Sequence, residues 1–336
     1  MRGFPAISGR GPERPAQTLT VLFSMAGTLA GNAMAIVRVT DLLYVAHAVT
    51  DRAAERKFYG QIWGLTEVGD QDGKVYFAAQ GSPHPYIIRL RQDEVLKTDL
   101  LSFSAASHAD VDALFQQAVA AGARPISEPA PAAGPASGYA ARFFDLDGRA
   151  LEVIAEFNRR EPRALAQGEA IPVGLSHIVL HSPDVKALAR FYQDALGFRL
   201  SDWIGEFMIF MRCNRAHHRL AIMPGKAALN HVAFDVHSVD DLMLGLARMT
   251  REGVKLQWGP GRHTAGNNTF TYYMTPNGNS VEYTSDLENV DEESWQPKTY
   301  DVSPQTTDRW GTGRIITGNA PHQTMEADKG LWCAPT

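Results

Sequence analysis

Three side chains in the second half of this 336-residue chain have the types and spacing to hold a metal ion: His177 in LSHIVLH, His231 in LNHVAFDV and Glu282 in TPNGNSVEYT. Each sits in a strand-like run, where period-two alternation can turn all three toward one face. Two neutral imidazoles and one carboxylate make the set that occupies one face of an octahedral Fe(II) and leaves the opposite face to substrate and O2. A closed structural zinc site needs a fourth protein ligand, which this set lacks. Taken singly, a His is more often an ordinary core residue and a Glu more often faces solvent. What singles these three out is the repeat that carries them.

The run FYGQIWGL at 58–65 returns as FYQDALGF at 191–198, 133 positions on, and DLDGRALE at 145–152 returns as TPNGNSVE at 275–282, 130 positions on. Each half is itself double. SHIVLHSPDVKALARFY and NHVAFDVHSVDDLMLGLA both read as a strand, a turn with Asp and an amphipathic helix. The first half starts the same way twice, at DLLYVAHAVTDRAAERKFY and LLSFSAASHADVDALFQQA. Gly64, Gly122, Gly197 and Gly253 follow the helices as stops, and short strands come after them. The fold class expected is α+β: four βαβββ modules, each too small for a core of its own, paired into two half-open barrels with the helices outside. The site should lie inside one cup.

The repeat also supplies an internal control. The first half offers Tyr44, Phe103 and Glu152 where the second offers His177, His231 and Glu282, and it sets Ala133 and Arg142 against His263 and Tyr272. Only the second cup can then bind a metal.

A chain that is 44% hydrophobic and 21% charged with a net charge of -5 suits about two globular domains and a small-molecule partner rather than nucleic acid or an anionic membrane. No apolar run reaches the roughly 20 residues of a membrane span. Cys213 and Cys333 suggest neither a disulfide framework nor a thiolate metal site, which fits a reducing, cytoplasmic compartment. The expected division is a disordered extension at 1–33, a metal-free pair of modules at 34–160, a linker at 161–172, a metal-binding pair at 173–290, and a tail at 291–336 packed on it. The extension, with its arginines and an apolar run at 19–30, also mimics a secretory signal. The Pro- and Ala-rich stretch at 125–137 reads as a loop.

The run GRHTAGNNTFTYYMTPNGNSVE, with His263, Tyr272, Pro276, Gly278 and Glu282 at fixed steps, resembles the signature of the type I extradiol ring-cleavage dioxygenases of the vicinal oxygen chelate (glyoxalase-like) superfamily. The resemblance is strong in the last third and weak in the first half. It implies Fe(II), with Mn(II) as the alternative, on His177, His231 and Glu282. It also implies a catechol-type substrate, O2 as co-substrate, a 2-hydroxymuconic-semialdehyde-type product of aromatic degradation, and a homo-oligomer. His218 would be the acid/base beside the oxygen site, with His217 as runner-up, and His263 and Tyr272 would hydrogen-bond the substrate oxygen. Alternation is expected to put His218 with Leu220 and Ile222 on the face lining the cup, and to leave His217 a plain turn residue. Val179, Phe210, Trp258 and Asn230 are the expected substrate-binding residues. Trp258 and Thr307 stand where relatives that accept acidic side chains carry Arg, so an apolar or neutral ring substituent is expected. Other classes remain open: a glyoxalase-like isomerase or 2-oxo-acid-dependent oxygenase, which has no need of His218, His263 and Tyr272 together, or a non-catalytic ligand-binding module.

Overall fold

The computed structural model describes residues 36–317, so the expected extension at 1–33, Cys333 and the end of the tail lie outside the described residues. Two sheets carry the chain. The first contains β1 (Asp41–Val49), β2 (Thr66–Gln71), β3 (Lys74–Ala78), β4 (Ile88–Gln92), β5 (Lys97–Ser104), β6 (Arg124–Pro131), β7 (Tyr139–Phe144) and β8 (Ala150–Ala155), in the order β2-β3-β4-β1-β5-β8-β7-β6. The second contains β9 (Gly174–Ser182), β10 (Arg199–Ile204), β11 (Met208–Arg212), β12 (Leu220–Pro224), β13 (Ala228–Asp235), β14 (Leu256–Arg262), β15 (Thr269–Met274), β16 (Ser280–Ser285) and β17 (Lys298–Tyr300), in the order β14-β15-β16-β13-β9-β12-β11-β10-β17.

Strand, helix and three strands recur four times, as the sequence repeat predicts. In each module the last strand returns parallel to the first, and the two first strands of each half pair antiparallel. The helices are α1 (Arg52–Lys57), which runs on as a π-helix (Phe58–Trp63), α2 (His108–Ala120), α3 (Val185–Leu196) and α4 (Val239–Arg251). Asp51, Ser107, Asp184 and Ser238 start them, each side chain accepting a backbone N–H from the first turn. Gly197 ends α3 in the left-handed conformation, φ 69°, which a Cβ would strain.

One apolar core runs through both halves. Trp63 of the first half lies 3.9 Å from Tyr283 and 5.4 Å from Phe234 by ring centroids, and Phe103 lies 5.6 Å from Phe198. The turns of the halves also reach across. Buried Glu55 of α1 accepts from Asn277 N and Nδ2 and from Asn279 Nδ2, while Arg149 donates to the carbonyl of His181.

Two expectations change. The stretch at 125–137 is not wholly a loop: residues through Pro131 form β6, the outer strand of its sheet, where prolines survive because an edge strand has N–H groups that need no partner. The first-half counterpart of His231 is Leu100 and not Phe103. Ser102 pairs with Glu152 as Ala233 pairs with Glu282, which puts Leu100 level with His231, and Phe103 packs in the helix-side core. The tail adds β17 beside β10 and the helical turns α5 (Pro304–Thr307) and α6 (Thr312–Thr317). Among the described residues no helix is long and apolar enough to cross a membrane.

Candidate metal centre

His177 sits on β9, His231 on β13 and Glu282 on β16, three neighbouring strands at the middle of the second sheet. Ala233 of β13 is paired with His177 on one side and Glu282 on the other, and His231 lies two residues before it on the same face. All three side chains are buried. Glu282 Oε2 lies 3.3 Å from His177 Nε2 and 3.1 Å from His231 Nε2, and the two Nε2 atoms are 3.5 Å apart. Ligands about 2.1 Å from a metal are separated by about 3.0 Å in an octahedron and about 3.4 Å in a tetrahedron. The observed triangle has that size. Glu282 Oε2 completes no hydrogen bond, so a buried carboxylate oxygen points at the centre of the triangle's chemistry with no donor of its own. A metal ion fits these residues, and among the described residues no other such group of three converges.

Burial opposes the charge of Glu282, but the imidazoles of His177 and His231 outweigh it and hold the carboxyl below its usual range. His231 is oriented from behind: its Nδ1–H donates to Asn230 Oδ1 (2.6 Å), Asn230 Nδ2–H to His181 Nε2 (2.8 Å), and His181 Nδ1–H to the Pro224 carbonyl (3.0 Å). That chain fixes the His231 tautomer with the Nε2 lone pair free for a metal. His177 Nδ1 lies 3.2 Å from Ser176 Oγ.

His218 packs against His177, ring centroids 4.3 Å apart with the planes tilted by 55°, but does not join the triangle. Burial, with the imidazoles of His177 and His217 beside it, pushes His218 well below the usual histidine range, so it is neutral. On another side of the site the Tyr272 ring lies 5.0 Å from that of His231, and Tyr272 Oη lies 3.1 Å from His263 Nε2. Burial raises Tyr272 well above the usual range, which keeps it an O–H donor. His263 donates Nδ1–H to the Thr307 carbonyl (2.6 Å) and is lowered by burial. Val179 and Phe210 form an apolar wall with Ile204, Ala221 and Ala265, and the Phe210 ring is 5.1 Å from His218.

The structure thus brings together eight of the predicted residues around one point: His177, His231, Glu282, His218, His263, Tyr272, Val179 and Phe210. Asn230 is corrected, because both ends of its amide are committed to His231 and His181, which makes it a support for the ligand rather than a substrate contact. Trp258 stacks 5.3 Å from Tyr272 and 4.2 Å from Phe270, backing the Tyr272–His263 pair instead of the Val179 wall. The reason given for His218 also fails. Leu220 and Ile222 face the helix-side core while Ala221 faces the cup, and His218 lies before β12 begins, where strand alternation does not apply. His217 is no plain turn residue: it is fully buried, with Nε2 2.9 Å from Asp202 Oδ2 and Nδ1 3.0 Å from His218 Nδ1. Sequence reasoning missed Asp202 and His181, whose roles depend on contacts between distant strands.

In the first half the carboxylate at the same place is already satisfied by protein donors. Glu152 accepts from Tyr44 (2.7 Å), Ser102 (2.9 Å) and Arg142 Nε (2.7 Å), so an arginine and two hydroxyls satisfy the carboxylate.

The family described as Glyoxalase/Bleomycin resistance protein/Dioxygenase superfamily matches residues 174–283, the span that holds all three candidate ligands. Biphenyl-2,3-diol 1,2-dioxygenase of Paraburkholderia xenovorans is 32% identical over 280 residues, 76% of this chain and 91% of that protein. An iron-dependent extradiol dioxygenase of Rhodococcus jostii is 36% identical over 138 residues, 36% of this chain and 46% of that protein. A crystal structure of the Mn(II)-bound glyoxalase from Novosphingobium aromaticivorans superposes with a TM-score of 0.83 at 46% identity, covering 89% of this chain and 98% of that one. With a relative above 30% identity covered nearly end to end, the chain belongs to the extradiol dioxygenases of the glyoxalase/bleomycin resistance protein/dioxygenase superfamily.

Proposed function

We propose that the cup of the second sheet is the active centre of an extradiol dioxygenase that opens a catechol-type ring with O2 beside its two hydroxyls, giving a 2-hydroxymuconic-semialdehyde-type product. The observation that carries this is an open set of three donors within 3.5 Å of one another, with a neutral fourth imidazole, His218, packed 4.3 Å from His177 by ring centroids and outside the set. His177, His231 and Glu282 would hold Fe(II) or Mn(II), which when bound supplies Lewis-acid polarisation of the ring hydroxyls and a common seat for ring and O2. His218 is placed to accept a hydroxyl proton and return it, as a neutral buried base can. Tyr272, whose O–H is accepted by His263 Nε2 in the structure, would turn that O–H to the oxygen on its side and so stabilise charge that develops there. Val179 and Phe210 exclude water and take an alkyl or aryl ring substituent.

Within this reading residues 34–160 are scaffold, 161–172 the linker, 173–290 the catalytic pair, and 291–317 the described part of a tail packed on it. The protein would act in the cytoplasm as a homo-oligomer: Cys213 is buried and free, and Val302, Trp310, Ile315 and Ile316 expose apolar side chains on the tail. Sedimentation tests the assembly.

The metal-replete full chain should consume O2 with alkyl- and aryl-catechols and form a yellow ring-fission product, and should bind a carboxymethyl catechol more weakly. No uptake with any catechol would reject the activity; preference for the acidic substrate would reject the apolar wall. A metal-dependent isomerase is the second reading, favoured by the likeness to the Mn(II)-bound glyoxalase. It predicts turnover of a thiol adduct of a 2-oxoaldehyde without O2, and it gives His218, His263 and Tyr272 no joint task.

A further inference from the structure

Behind His218 lies a buried pair that the mechanism above does not use. Asp202 of β10 is fully buried, and its two carboxylate oxygens are both engaged: Oδ1 accepts from Lys298 N (2.7 Å) and Oδ2 lies 2.9 Å from His217 Nε2. A carboxylate only accepts, so His217 Nε2 carries the proton of that bond. Taken as neutral, the His217 ring has that one N–H, which leaves its Nδ1 as an acceptor. Its partner at 3.0 Å is His218 Nδ1, so in that arrangement His218 is the donor. His218 is then the Nδ1–H tautomer, with its Nε2 lone pair on the opposite edge of the ring.

From this geometry we infer that Asp202 and His217 are positioning residues that hold His218 in the tautomer able to take a substrate proton, an inference that rests on the reading of His218 as the proton-handling group. The tail and the residue run leading into it build the device. Lys298 of β17 supplies the second donor to Asp202, Glu288 receives the backbone N–H of His217 (2.7 Å), and Trp295 packs on the His217 ring at 5.5 Å. A packing role alone would be met by any flat, buried ring at 217. A positioning role needs its two nitrogens.

The direct test is ¹⁵N spectroscopy of the histidine rings in the zinc-loaded full chain, with the His218 signals identified by their loss in His218→Asn. The expected result is Nδ1–H with unprotonated Nε2; an Nε2–H tautomer overturns the inference without any further variant. Kinetics of the iron-loaded enzyme add a second arm. His217→Phe and Asp202→Asn should keep one metal per chain and a KM within about threefold of the parent, while kcat falls about ten- to hundredfold, the range for residues that orient an active group. His217→Gln, which can still donate to Asp202 and accept from His218, should recover most of kcat. Neither change should lower kcat further in a His218→Asn background, because groups acting through one another are not additive. If His218→Asn itself leaves kcat unchanged, the reading of His218 has failed. If His218→Asn is slow while His217→Phe matches the parent and the His217→Gln variant, only the positioning inference has.

Discussion

A carboxylate buried in a sheet needs compensation, and Glu152 and Glu282 find it in two ways. Glu152 has Arg142, Tyr44 and Ser102; Glu282 Oε2 has no donor and faces the two imidazole Nε2 atoms, where a shared cation would supply the compensation. Glu282→Ala should therefore abolish metal binding, whereas Glu152→Ala should leave one metal per chain and lose about 1–3 kcal/mol of stability as the buried hydroxyls of Tyr44 and Ser102 lose their acceptor. Elemental analysis beside chemical denaturation reads both, and two metals per parent chain would refute the assignment. For His218→Asn we expect metal content and catechol affinity near the parent and kcat down by about 10² to 10⁴; loss of metal would mean that His218 is a ligand. The ligand triad was legible in the sequence because the repeat supplied a metal-free copy to compare. The register was less so: the helix caps Ser107 and Ser238 lie 131 positions apart, as Leu100 and His231 do, but the look-alike runs VDAL at 111–114 and VDDL at 239–242 are one helical turn out of step, and matching them sets Phe103 against His231 in place of Leu100. Asp202 was invisible for a different reason, since a bond from β10 to a residue before β12 leaves no local pattern.

At the scale of elements, capping residues and glycine stops made the four helices readable, but close packing between elements was not. Gly245 of α4 is an example: a Cβ there would lie 2.7 Å from the Tyr283 ring, and Tyr283 is fixed in turn by Arg248 Nη2 at 2.7 Å. Alanine would gain about 1 kcal/mol of helix propensity. Overpacking costs about 1–3 kcal/mol. We expect Gly245→Ala to lower Tm with metal content unchanged, and a rise in Tm would show that the ring can move aside. Strand β1 holds a second case. His47 is buried with neither ring nitrogen hydrogen-bonded, and burial, only partly offset by Asp99, pushes it down from 6.5 to about 4. Below pH 6.5 the unfolded chain binds a proton that the folded chain refuses, so stability falls as the pH drops toward 4, by up to about 3 kcal/mol. His47→Leu should flatten that part of the stability profile in urea titrations at pH 4.5 and 7, and an unchanged slope would exclude His47 as its source.

The whole molecule is held by contacts that ignore the repeat boundary. All the metal donors come from the second half, which invites the expectation that this half would work alone. The packing argues against it. Trp63 of the first half fills the space between Phe234 and Tyr283, and Tyr283 directly follows the ligand Glu282. Phe103 does the same against Tyr192 and Phe198 beside α3. Cutting the chain at the linker would expose these faces together. Loss of one large aromatic from a core costs about 3–5 kcal/mol. Two such losses approach the 5–15 kcal/mol that a folded domain has in total. The cut would also strip the carbonyl of His181 of its Arg149 donor, next to the chain that orients His231. A fragment of residues 173–336 is therefore expected to bind a hydrophobic dye, to lack a sharp near-ultraviolet circular dichroism signal, and to hold far less than one metal per chain, while the intact protein unfolds in a single transition. Mixing it with a fragment of residues 34–172 should restore metal binding if the shared core is what was missing. A lone second half with native-like dichroism and stoichiometric metal would show that the first half is dispensable.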